Sequence, residues 1–285
     1  MMKVERAYKP EFEKYVPLEE WLETPREARE EMAECIVLRR DNLLLFSEEM
    51  LDLARWLTWE TQTADIEKES ATGLKYASKM YAAFFECARE PRKTSTFNIY
   101  DLPEVSWNGL GLLESGRIYP GQWFDAYFLA VITRDTDSMN TLGTFPVEIM
   151  RQSATTTDEV VYSLVEVFQS YHHREKDFPV KLNQTMKALL ADGDDWSLDI
   201  GMGYLETFAA LTTNAGFDFN EVLAKNLQCQ EQYWMREKGQ DIVPVCSFIP
   251  LQLLGMACMW HDCGNEVSVE SDSLPRFLID GRYFK

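Results

Sequence analysis

A chain of 285 residues that is 46% hydrophobic, with 8 Trp, 12 Tyr and 16 Phe, is too apolar and aromatic for a disordered protein and long enough to bury most of its unfolded surface. Its 47 acidic and 28 basic side chains leave a formal charge of −19. That charge argues against a nucleic-acid partner, because binding a phosphate backbone depends on Lys and Arg displacing counterions; it suits a basic protein partner, and equally mere solubility.

The opening residues, Met1 to Tyr8, mix charges without an apolar segment behind them, so no secretory signal is expected. No apolar run approaches the roughly 20 residues of a membrane-spanning helix, and a soluble cytoplasmic protein without membrane contact is the expectation. From Pro25 to about Gln62, Met32, Ile36, Leu43, Phe46, Met50, Leu53 and Leu57 recur at helical intervals, which predicts one or two long amphipathic helices. Thr24, Pro25 and Glu27 read as their start, with a capping hydroxyl and a proline at the first position. A further helix is predicted over Ala64 to Arg89, ended by Pro91 and paired with the first as a hairpin. Pro103, Gly109, Gly111, Gly116, Pro120 and Gly121 then break the pattern into a connector with one or two short strands, such as Thr96 to Tyr100.

Helices resume over Gln122–Arg134, Val147–Gln152, Asp158–His172, Val180–Leu190, Trp196–Asn214, Glu221–Glu237 and Phe248–Cys263. Asn214-Ala215-Gly216 reads as a helix end with a left-handed glycine cap, and Val267-Ser268-Val269 as a strand. The predicted fold class is all-α: a multi-helix globule of packed helical hairpins with minor β content near residues 96–118 and 266–270. Its expected organisation is an N-terminal helical hairpin region, 1–90, and a helical region, 91–285, packed as one continuous domain. The cysteines Cys35, Cys87, Cys229, Cys246, Cys258 and Cys263 are scattered. They are read as reduced, mostly buried small hydrophobes, Cys258 among them.

Nothing in the chain spells a reaction. No phosphate-binding loop is present, and Gly201-Met202-Gly203 lacks the third glycine of a dinucleotide fingerprint. His172 and His173 are neighbours, so on a helix their rings diverge by about 100° and cannot share an ion. His261-Asp262-Cys263 has no second ligand pair at metal spacing and fits a helix end at Gly264. Asp192, Asp194 and Asp195 around Gly193 resemble half a calcium loop, but the twelfth position is Gly203. The alternative is a solvated turn that caps the helix starting near Trp196. Glu266, Glu270 and Asp272 could pass for catalytic acids, although no nucleophile or serine elbow accompanies them. No catalytic residue, cofactor or metal is expected.

Two blocks stand out in order: Pro120-Gly121-Gln122-Trp123-Phe124-Asp125-Ala126 through Arg134-Asp135, and Gln230-Glu231-Gln232-Tyr233-Trp234 followed by Leu253–Cys258 and Glu266–Pro275. Together they resemble the immunity protein 49 family of bacterial polymorphic toxin systems, over roughly residues 70 to 280. The resemblance implies a protein that protects its maker by binding a co-encoded toxin, and not an enzyme. Trp123, Arg134, Asp135, Tyr233, Trp234, Asp262, Glu270, Ser271 and Asp272 fall on the family pattern as scaffold positions, with Arg134 and Asp135 closing their helix. Glu231-Gln232 and Trp260-His261 depart from it. The implied partner is a cognate toxin, with a nuclease-type effector of basic cleft as the obvious class. Its candidate contacts are Asp192, Asp194, Asp195 and Asp199, or the acidic run from Glu23 to Glu34; both also read as solvated helix faces. The rival from another class is a helical hydrolase or small-molecule-binding protein, lined by aromatic residues and carboxylates.

Overall fold

Helical periodicity dominates what forms. The computed structural model describes residues 2–6, 16–213, 216–238 and 245–284, and over them the protein is all-α with little strand, as the sequence predicts. The chain divides into two compact units, Phe12–Asp158 with Phe284, and Met1–Glu11 with Glu159–Tyr283; the first strand, β1 (Met2–Lys3), belongs to the latter.

In the Phe12–Asp158 unit, α1 (Leu18–Cys35), α2 (Asn42–Leu57) and α3 (Ala64–Arg89) pack in sequence order. The boundaries of α3 are those read from the sequence. The Thr63 hydroxyl accepts from the Ile66 N–H at 3.3 Å to cap it, and Pro91 follows its end. α2 is buried on nearly every side, with Leu43, Met50, Leu53 and Ala54 fully enclosed. Gly73 lets α3 approach it closely, since a Cβ there would lie 3.0 Å from the Met50 carbonyl oxygen.

The start of α1 differs from the expectation. The helix begins at Leu18 after Pro17 and runs through Pro25, which is buried with Leu22 and Met32 on one stripe. Thr24 and Pro25 imitate a helix start, but the apolar spacing continues upstream of them, and burying Pro25 offsets the backbone hydrogen bond it cannot donate. Trp21 stacks on Trp56 with ring centroids 4.8 Å apart.

After α3, β2 (Ser95–Phe97) and β3 (Val105–Trp107) form an antiparallel hairpin, with Thr96 opposite Ser106. Gly109 follows it where no side chain fits, because a Cβ would meet the Cys87 carbonyl at 1.9 Å. The unit closes with α4 (Pro120–Ile132), α5 (Thr136–Gly143) and α6 (Val147–Met150).

In the Glu159–Tyr283 unit, α7 (Glu159–His172) and α8 (Phe178–Asp192) pair around Phe168, Tyr171 and Phe178, whose rings converge on Phe208. Phe208 lies on α9 (Met202–Thr212), which follows a π-helical turn over Ser197–Gly201 where an uninterrupted helix was expected. α10 (Phe219–Lys238), a 3-10 turn over Val245–Ser247, α11 (Leu251–Asp262), β4 (Val269–Glu270) and α12 (Arg276–Ile279) complete it. β1 runs parallel to β4, Met2 opposite Val269. Gly216 is left-handed at φ 77°; Asn214 and Ala215 lie outside the described residues.

All six cysteines are unbridged. Only Cys87 and Cys258 are buried, and Cys263 is exposed, which corrects the expectation that most would be interior. Cys258 does sit in the core, its thiol 3.6 Å from the Leu278 carbonyl. No described helix is long and apolar enough to cross a membrane.

Candidate protein-interaction site

The signature residues build joints. Trp123 on α4 is fully buried, stacks on Tyr127 at 4.8 Å, and donates its indole N–H to the Leu142 carbonyl of α5 at 2.9 Å. Between these helices Arg134 takes the left-handed conformation, φ 56°. Asp135 N–H reaches back to Ala130 O at 2.9 Å and Arg134 N–H to Val131 O at 3.1 Å. This pair of bonds is the Schellman helix end that glycine usually serves. The Arg134 guanidinium donates to the Ile132 carbonyl at 2.6 Å.

The signature pattern has Asp135 closing α4, but its side chain opens α5. Its Oδ1 accepts from the Ser138 N–H at 3.2 Å and its Oδ2 from the Ser138 hydroxyl at 2.7 Å. The same carboxylate, 9% exposed, takes the Lys79 ammonium of α3 at 2.7 Å. Asp135 thereby joins three helices, α4 through its N–H and α3 and α5 through its carboxylate.

The second signature block seats an arginine that belongs to no motif of its own. Arg6, just beyond β1, is buried; its Nε donates to Ser273 Oγ at 3.1 Å, and its Nη2 to the Phe248 and Asp272 carbonyls at 2.8 and 2.9 Å. Burial lowers its pKa to about 10, against the pull of the Asp272 and Glu231 charges. Glu270 ends β4, and the Ser271 hydroxyl accepts from the Ser273 N–H at 3.2 Å, shaping the turn that presents both acceptors. Tyr233 and Trp234 meet edge to face on α10, with the Trp234 indole nitrogen buried and unbonded among the described residues. Asp262 ends α11, 3.6 Å from His261 Nδ1.

The acidic turn after α8 is largely committed to its own fold. Asp194 Oδ1 accepts from the Ser197 N–H and Asp192 Oδ2 from the Ser197 hydroxyl, both at 2.6 Å, which is the capping role. Asp199 is paired with Arg236. Asp195 alone among the four is exposed with no partner among the described residues.

α1 is different. Glu19, Glu20, Glu23, Glu27, Glu30, Glu31 and Glu34 are all exposed, and none is in an ion pair among the described residues. Of its two cations, Arg26 is held bidentately by Glu69 of α3, both contacts at 3.0 Å.

The other residues weighed for chemistry stay apart. His172 and His173 meet ring to ring at 5.4 Å and 87°, and desolvation, then the neighbouring ring, lowers the His172 pKa. Burial pushes the Cys87 thiol up to about 12, so it carries no thiolate at neutral pH. Among the described residues no group of three His, Cys, Asp or Glu could hold a metal ion.

A model of immunity protein 49 matches residues 57–278, well over half of the chain and both signature blocks. The chain belongs to the immunity protein 49 family. No curated protein and no solved structure matches it. Membership in this immunity family points to a toxin-neutralising role, and the immunity 49 match begins only at the end of α2, leaving α1 outside it.

Proposed function

We propose that the protein neutralises a cognate bacterial toxin stoichiometrically, by fitting against it in the cytoplasm of the producing cell and covering its active site, with no bond made or broken. The family match over residues 57–278 carries this reading. The charge of −19 supports the choice of partner: a cleft built for phosphate is cationic, so a nuclease-type effector domain is complementary to this surface. An ordinary interface of about 1,600 Å² would suffice, its affinity concentrated in a few buried side chains. Asp195, with Asp192, Asp194 and Asp199 beside it, is one proposed contact, weakened by the internal partners of the other three.

Co-expression with the toxin encoded beside its gene tests the proposal. Growth should be restored, and the purified pair should elute as a complex of defined stoichiometry. Unrestored growth with both proteins present would reject it. So would release of a product by the chain acting alone on toxin or small-molecule substrates, the mark of the rival hydrolase.

A further inference from the structure

At 100° per residue, the buried side chains of α1, Leu22, Pro25 and Met32, and Ile36 just after it, define the face that packs on α2. The seven glutamates fall within an arc of about 120° centred opposite that face, along about 22 Å of helix. Like charges three and four residues apart destabilise a helix. Glu19 with Glu23, Glu23 with Glu27, Glu27 with Glu31, and Glu30 with Glu34 are such pairs, and none of these glutamates is in an ion pair among the described residues.

An apolar patch adjoins the end of this stripe. Val37 and Leu38 in the turn after α1 are 44% and 70% exposed. Arg40 ties the turn to the loop after β3 by donating to the Asn108 and Leu110 carbonyls at 2.9 and 2.7 Å, which anchors the backbone of Leu110, 56% exposed, to this turn. Exposed apolar side chains held in place beside a charged stripe have the makeup of a docking surface, with anchors to desolvate and charges to steer.

The sign of the stripe selects the occupant. Nucleic acid and anionic membrane are repelled, and a second copy of the chain would set glutamate against glutamate. The carboxylates stand along a helix and do not converge on an ion. We infer that the outward face of α1, with Val37, Leu38 and Leu110 at its end, is the docking surface for a cationic polypeptide. Given the proposed function, that polypeptide is the basic face of the toxin.

The test measures association of the full-length protein with the catalytically inactivated toxin encoded beside its gene, across a salt series. The variant E23Q/E27Q/E30Q/E34Q should bind about 100-fold more slowly, with a flatter salt dependence, while its melting temperature stays the same or rises. A control, E104Q/E114Q/D158N/E266Q, removes as many exposed, unpaired charges elsewhere and should change the rate less than about threefold. L38S/L110S should accelerate dissociation at least tenfold. Wild-type binding with the stripe variant and the control indistinguishable would overturn the docking surface and leave the proposed function standing. No wild-type binding at any salt would overturn both.

Discussion

Two helix ends, Arg134-Asp135 and Arg174-Glu175, use one backbone device in different surroundings. Each places an arginine in the left-handed conformation, φ 56° and 55°, and each sends the following acidic residue's N–H back five residues, to Ala130 and Ser170, at 2.9 Å. At the first, the acid is nearly buried and binds Lys79 and Ser138 from two other helices. At the second, Arg174 and Glu175 are exposed, and Glu175 is held by Lys181 at 2.6 Å on the surface. Backbone geometry makes the corner, and burial decides its worth. Only the first corner belongs to the signature blocks.

The largest effect that should separate them is Asp135→Ala, which removes a cap and leaves the Lys79 ammonium only the exposed Asp137, 3.7 Å away. Urea unfolding should show a loss of about 2–3 kcal/mol; a loss below about 1 kcal/mol would put the two corners on a par. Lys79→Met keeps the cap and removes only the ion pairs to Asp135 and Asp137, so about 1 kcal/mol is expected, read from the same titration. At the exposed corner, Arg174→Gly should raise stability by about 0.5 kcal/mol. Relief of the left-handed side chain there outweighs the extra freedom of the unfolded glycine. Arg134→Gly should gain less or lose, because its guanidinium is bonded to Ile132.

Smallest of all is Glu175→Ala, a few tenths of a kcal/mol. Hydrogen bonding to Lys181 depresses the Glu175 carboxyl below its ordinary pKa. Its contribution is therefore present above the ordinary carboxylate value and lost as pH falls through the depressed one. Thermal melts of wild type and variant should converge in acid and stay apart at neutrality.

Much of the scaffold was legible because long apolar periodicities leave little choice. Ala64 to Arg89 is one such run, its apolar positions three or four apart and Pro91 beyond them. Short polar elements were not legible. α5 carries little beyond Met139 and Leu142 to mark an inner face, so Asp135 read as the end of one helix when it starts the next. Thr24-Pro25 carries the chemistry of a helix start, and only packing reveals Pro25 as a core residue of a helix already under way. Arg6 gave no local signal, since its acceptors lie more than 240 residues away in sequence. Of the acidic regions, the turn at Asp192 to Asp199 was legible as a cap. The unrelieved stripe of α1 needed the structure to show which way its glutamates face and that none is paired.

Titrating the toxin's activity with the purified protein separates neutralisation by fit from inactivation by turnover. Toxin activity should fall linearly and reach zero at one molecule of protein per toxin active site, with active toxin of unchanged mass recovered when the complex is dissociated. Inactivation of excess toxin by a small fraction of the protein, or a toxin left fully active at equimolar protein, would contradict it.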